Sequence, residues 1–231
     1  MSLPVFEVPK FKTTLPSNGK TVEFRPFLVK EQKQLLMVTA ASAAEQTSAI
    51  ESVIAACTNN AVDASRLPAF DAEHLFLQIR ARSVGETVDI ALTCGCGEKQ
   101  NSTLDLTSVR VHTSPEHTNK IDLGSNIMVI LKYPDLQEIS SRPEINTADD
   151  VTNMIVNSIE GVWSNDELFA STNYSREELV TWVDALSPAA LDKIETFFAT
   201  MPVLKHTLDW KCKACGADNS VTMEGMQSFF A

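Results

Sequence analysis

The sequence predicts an α+β fold made of two diverged halves, each running strand, helices, strand, cysteine turn, strand. Three observations predict it. Alternating apolar runs that stop at Pro26 and at Pro134 mark a strand near the start of each half. Stretches with apolar residues at helical spacing follow each of them. Two close cysteine pairs, Cys94-Gly95-Cys96 and Cys212-Lys213-Ala214-Cys215, then each end one strand-like run and begin another.

In order, Thr21 to Phe27 alternates and stops at proline. Lys30 to about Glu45 is rich in helix formers, with Leu35, Leu36, Val38 and Ala43 on an apolar face. A second helix is expected from Thr47 to Cys57, broken by Asn59-Asn60, and Asp71 is placed to N-cap a third that ends at Gly85. Glu86 to Cys94 alternates with Val88, Ile90 and Leu92 on one face, and Ser102 to Leu106 resumes a strand. In the second half, Ile127 to Tyr133 is a strand, Asp135 to Ser140 starts a helix, and a longer helix is expected from Asp149 to Gly161. Ser175 caps Arg176 to Leu186, and Ser187-Pro188 opens a helix to Thr200 with proline in its first turn. Leu204, His206, Leu208 and Trp210 alternate up to Cys212, and Val221 to Glu224 follows.

The two cysteine turns correspond closely. Cys96 and Cys215 are each followed by glycine, and Asn101-Ser102 parallels Asn219-Ser220. Pro26 and Pro134 lie 108 positions apart and Cys94 and Cys212 lie 118 apart. We read this as an internal duplication, with halves 1–111 and 112–231 and a polar connector at His112 to Lys120; chance similarity of short segments is the alternative. Four thiolates from Cys94, Cys96, Cys212 and Cys215 are what a closed tetrahedral zinc site requires. Such a site leaves no open position for chemistry, so its expected role is structural, joining the halves as one compact unit. Cys57, on an apolar helix face, is expected to be plain core.

Other constellations point away from catalysis. The rival reading of the CxxC pair is a thiol-disulfide oxidoreductase, but such a site places its first cysteine at a helix N-terminus, and Cys212 follows a strand. Of the four histidines, His112 and His117 fall in the polar connector and are expected to be solvated. His206 is near enough to the second pair to replace a ligand, though a half-buried structural role fits it better. Acid pairs such as Asp149/Asp150 and Glu177/Glu178 stand at helix starts, where they complement the dipole rather than face each other. Eight glycines in 231 residues supply no phosphate loop.

A net charge of −11 with scattered cations argues against a nucleic-acid surface. No apolar run reaches membrane-spanning length. Met1 to Glu7 lacks the basic segment and apolar stretch of a signal peptide. A cytosolic, reducing setting is therefore expected, where close cysteines serve as metal ligands. The tail, Gly225 to Ala231, ends on two aromatics suited to folding back or to docking on a partner.

Arg25-Pro26-Phe27-Leu28-Val29-Lys30-Glu31-Gln32-Lys33-Gln34-Leu35-Leu36 resembles the N-terminal segment of the T4-type phage baseplate hub family. Arg80-Ala81-Arg82-Ser83-Val84-Gly85-Glu86-Thr87-Val88, followed by a cysteine knuckle, resembles its central segment. The resemblance implies a non-enzymatic hub subunit or hub assembly protein. It also implies contacts with other hub and spike proteins, and no nucleic-acid, membrane or small-molecule partner. It would reside in the host cytoplasm during assembly and in the virion tail baseplate.

Overall fold

The computed structural model describes residues 6–141 and 147–229. The reading of the first five residues, and of the tail's final Phe230 and Ala231, lies outside the described residues. Among the described residues the fold is mixed α/β, with seven α-helices and four small antiparallel sheets. No helix among them is long and apolar enough to cross a membrane.

Packing divides the chain differently from the sequence halves 1–111 and 112–231. One compact unit takes the chain up to His112, then Asp135–Ser140, then Val203 onward; the other takes Thr113–Pro134 and Ser141–Pro202. The return at Val203 follows from strand pairing, as given below.

The first unit opens with the hairpin β1 (Phe11–Thr14) and β2 (Thr21–Phe24). Helices α1 (Val29–Met37), α2 (Ala43–Cys57) and α3 (Ala69–Val84) follow. The single helix expected over Lys30 to Glu45 is two, because Ser42 caps a new start: its backbone N–H donates to Glu45 Oε2 (3.0 Å) and its Oγ accepts from the Glu45 N–H (3.4 Å). α2 ends where expected, at Asn59 and Asn60, both left-handed with φ of 53° and 56°. α3 begins two residues before Asp71, after Pro68. Asp71 is not its N-cap; buried, it instead accepts from the Ser17 N–H (3.0 Å) and hydroxyl, and so ties the β1–β2 turn to α3. Burial raises its carboxyl above the ordinary range. Leu15, Phe24, Ile54, Leu75, Phe76 and Ile79 form the core between hairpin and helices, each contributing roughly 1.5–3 kcal/mol on burial.

Strands β3 (Thr87–Thr93) and β4 (Lys99–Asp105) form one hairpin of this unit. The short β5 (Arg110–His112) pairs with β10 (Val203–Lys211), which also pairs with β11 (Asp218–Glu224). These strands share a second core of Leu77, Leu104, Leu106, Val109, Leu204 and Met223. Helix α4 (Leu136–Ser140) joins the unit through buried Leu136 and a bond from Gln137 Nε2 to Ser48 Oγ (3.1 Å). The tail folds back at its start: Met226 is buried, and its N–H donates to Glu73 Oε1 (3.1 Å).

The second unit is the sheet β6 (Lys120–Gly124), β7 (Ile127–Leu131), β8 (Ile159–Ser164) and β9 (Glu167–Ala170), in that order. It packs on α5 (Ala148–Ser158), α6 (Arg176–Asp184) and α7 (Pro188–Thr200), each capped by a Ser or Thr hydroxyl. The helix expected to reach Gly161 stops at Ser158, and β8 begins at once. Two-residue turns close both hairpins: Ser125-Asn126 and Asn165-Asp166 all have positive φ, the twist a tight hairpin needs. His117 is half-buried rather than solvated. Its ring stacks on Phe197 at 5.2 Å, with Nδ1 bonded to Thr200 Oγ1 and Nε2 to Tyr133 Oη, each at 2.9 Å. His112 is exposed, as expected.

Candidate metal centre

The cysteines stand at equivalent ends of two hairpins. The β3–β4 register runs from Thr87↔Asp105 to Thr93↔Lys99, and Cys94 is the next residue. The β10–β11 register ends at Lys211↔Asp218, and Cys212 is the next residue. Each turn is closed in the same way. Cys94 N–H donates to the Glu98 carbonyl and Cys212 N–H to the Ala217 carbonyl, both at 2.9 Å. Gly97 N–H returns to the Cys94 carbonyl and Gly216 N–H to that of Cys212, at 2.9 and 3.0 Å. Those glycines have φ of 90° and 70°, a backbone that side-chain-bearing residues rarely adopt.

This brings all four sequence-predicted ligands together. The Sγ atoms of Cys94, Cys96, Cys212 and Cys215 lie within 4.8 Å of one another, an arrangement that could hold a metal ion. The contacts are crossed between hairpins: Cys94 to Cys215 and Cys96 to Cys212, each 3.8 Å. Four thiolates about 2.3 Å from a tetrahedral ion stand about 3.8 Å apart, whereas a disulfide holds its sulfurs at about 2.05 Å. Cys94 and Cys212 are buried and Cys96 and Cys215 exposed, so the cluster sits at the surface with one inner and one outer thiol from each turn.

The electrostatics suit a cation. The Cys96 backbone N–H, helped by the neighbouring thiols, draws the Cys94 thiol down to about 7. The Glu98 N–H pulls Cys96 the same way, but the Cys215 and Cys94 sulfurs outweigh it and push that thiol up to about 12. The group takes one negative charge readily and resists another until a metal replaces the protons.

Two supporting residues escaped sequence reasoning. Asn219 Nδ2 lies 3.7 Å from Cys94 Sγ. Gln100 clips the turns together, its Nε2 donating to the Lys211 carbonyl (3.3 Å) and its Oε1 accepting from the Lys213 N–H (3.0 Å). The signal for Asn219 was present in its match to Asn101; nothing in the spacing marked Gln100. His206, on β10, pairs in register with Met223 of β11 and is not among the clustered ligands. Cys57 is core as expected, its thiol pushed up to about 11 by burial.

The two stretches that carry the family resemblance also meet in space. Phe27 N–H donates to Ser83 Oγ (2.9 Å). Arg25 reaches Glu31 Oε1 through Nη2 (2.9 Å), while the Leu28 N–H donates to Glu31 Oε2 (2.8 Å). Glu31 is 3% exposed, and although desolvation opposes it, these donors hold its carboxyl below the ordinary range.

Fold and cluster together define a mixed α/β protein whose two β-hairpins meet through four thiols. The family model described as T4 bacteriophage base plate protein matches residues 8–231, and the chain belongs to that family, with a structural role in the phage baseplate. No curated protein and no solved structure matches it.

Proposed function

We propose that this chain is a non-enzymatic protein of the central hub of the tail baseplate, acting as a structural subunit or as an assembly factor for the hub. The observation that carries this is the family match over residues 8–231, joined to the hub-type stretches at Arg25–Leu36 and Arg80–Val88. Its partners are other hub and spike proteins; it works in the host cytoplasm during assembly and in the tail baseplate of the virion, without nucleic acid, membrane or small-molecule substrate. Co-expression with the phage's hub and spike proteins, followed by affinity capture, tests the role. Capture of at least one hub or spike protein is expected, and capture of none refutes the reading.

Within that role, Cys94, Cys96, Cys212 and Cys215 hold a structural Zn²⁺. The crossed 3.8 Å sulfur contacts support it, because they match the edge of a Zn–thiolate tetrahedron. Elemental analysis of the purified chain is expected to give one zinc per chain; far less than one refutes it. The rival, a redox dithiol at Cys212 and Cys215, draws less support, since these residues lie in a hairpin turn and not at a helix start. Insulin reduction by the chain would favour it. The matched hairpins and matched turn hydrogen bonds also support descent of 1–111 and 112–231 from one duplicated segment, the second turn keeping one more residue.

A further inference from the structure

The four clustered thiols are not equivalent. In each turn the first cysteine is buried and the second exposed: Cys94 and Cys96 in one, Cys212 and Cys215 in the other. The 3.8 Å sulfur contacts run between the turns. Exposed Cys215 stands against buried Cys94, and exposed Cys96 against buried Cys212. Every thiol of the cluster that solvent reaches therefore has a buried thiol of the opposite hairpin beside it. An accessible sulfur with a resolving sulfur next to it is the arrangement of an oxidant-sensitive pair. Closing either pair to the ~2.05 Å of a disulfide asks for an approach of under about 2 Å. The turns stay adjacent meanwhile, because the Gln100 side chain bonds both the Lys211 carbonyl and the Lys213 N–H.

A hydroperoxide is the oxidant this chemistry calls for. The exposed thiolate gives an electron pair to one peroxide oxygen, the O–O bond breaks, a sulfenic acid forms, and hydroxide leaves as water on taking a proton. The buried thiolate then attacks that sulfur: the S–S bond forms, the S–O bond breaks, and the second hydroxide leaves as water. Four thiolates, two molecules of hydrogen peroxide and four protons thus give two disulfides and four waters. Zn²⁺ held by those thiolates is set free, since a disulfide is not an anionic ligand. The bridges would span 121 residues for Cys94–Cys215 and 116 for Cys96–Cys212, so they hold the two hairpins together. Bridges within a turn would close loops of only a few residues and constrain the chain far less.

We propose that Cys94/Cys215 and Cys96/Cys212 are sites of oxidative modification by hydroperoxides, which turn a metal-held clasp into two crossed disulfides without parting the hairpins. The proposal rests on the four-thiol zinc reading and deepens it. A phage baseplate is built in a reducing cytoplasm and released into oxidising surroundings, and such a joint holds in both.

The test treats the zinc-loaded full chain with hydrogen peroxide. Released zinc is read with a chromogenic chelator, and linkages by tandem mass spectrometry of unreduced peptides. Release of the zinc, both crossed linkages, and an unmodified thiol at buried Cys57 are expected. The oxidised, metal-free chain is expected to melt about 10–20 °C above the reduced, chelated chain. Cys96→Ser/Cys212→Ser keeps one crossed pair and is expected to form its bridge. Cys96→Ser/Cys215→Ser keeps only the buried thiols and is expected to react at least about tenfold more slowly. Linkages within a turn, sulfinic acids alone, or four intact thiols overturn the proposal and leave the zinc reading standing. Crossed disulfides in a chain that carries no zinc as purified refute the zinc reading and leave the pairing standing.

Discussion

Replacing Cys96 with serine tests the thiol clasp with the least disturbance elsewhere, because this thiol is exposed and its loss opens no cavity in the core. A metal on all four sulfurs cross-links Cys96 to Cys212, residues 116 apart in sequence. The chain-entropy relation for a cross-link of that span gives about 5 kcal/mol at 25 °C. At about 2–4 °C per kcal/mol for a chain of this size, complete loss of the metal lowers the melting temperature by about 10–20 °C, and Cys96→Ser, which leaves three ligands, lowers it by up to that amount. Calorimetry under a thiol reductant measures this, on wild type and variant, each with zinc and after chelator treatment. Chelated wild type is expected to show the full fall, and the variant, left with three thiolates, is expected to respond to the chelator less than wild type does. If wild type and variant melt within about 2 °C of each other and chelation moves neither, the clasp contributes nothing and the cross-link reasoning is wrong.

The knuckle glycines give a second test: Gly97→Ala and Gly216→Ala place a Cβ in open space but at positive φ, so each costs about 1 kcal/mol in urea denaturation, while Gly95→Ala, without that backbone, is neutral. Glu31→Ala leaves the largely buried Arg25 cation unpaired and is expected to cost about 3 kcal/mol. Glu86→Ala, which removes the half-exposed partner of Arg82, is expected to cost under about 1 kcal/mol by the same assay. Burial holds the imidazoles of both His74 and His117 below their ordinary range. The unfolded chain therefore binds more protons as pH falls through about 6.5, and stability declines there, by at most about 1.4 kcal/mol per pH unit for each histidine. Asp71 and Glu73, raised by burial, act with the opposite sign at lower pH. Urea midpoints between about pH 7.5 and 5.5 should therefore fall in wild type and fall less steeply in His74→Gln.

The features legible in the sequence were those written in local chemistry. Ser175, Ser187 and the Asn59-Asn60 break act on their own turns of chain, and the structure places them as read. The cysteine cluster was legible because two matched turns announced it, although its ligands lie over a hundred residues apart. What escaped depended on distant partners or on short runs. β5 is three residues long and exists only because β10 arrives beside it. The β8–β9 hairpin was hidden by a helix that runs straight into a strand at Ile159, and its signal, Asn165-Asp166, lacks the glycine that usually marks such turns. Ser42 carried a readable cap and box, yet the run of helix formers around it masked the break. His117 was misread because a polar stretch says nothing of the Phe197 ring that covers it.

The return of the chain at Val203 has a consequence in time. The core strands of the first unit are not complete until Leu204 and Met223 reach Leu77, Leu104 and Val109. At about 5–20 residues per second, the ribosome takes about 6–25 s to travel from Cys96 to Cys212. Throughout that interval the earlier hairpin waits with unanswered thiols and β5 with an open edge, while the residues between fold their own unit. A chain that stops early in translation therefore lacks the strands that finish this core, and closure of the clasp reports that synthesis has reached the last strands.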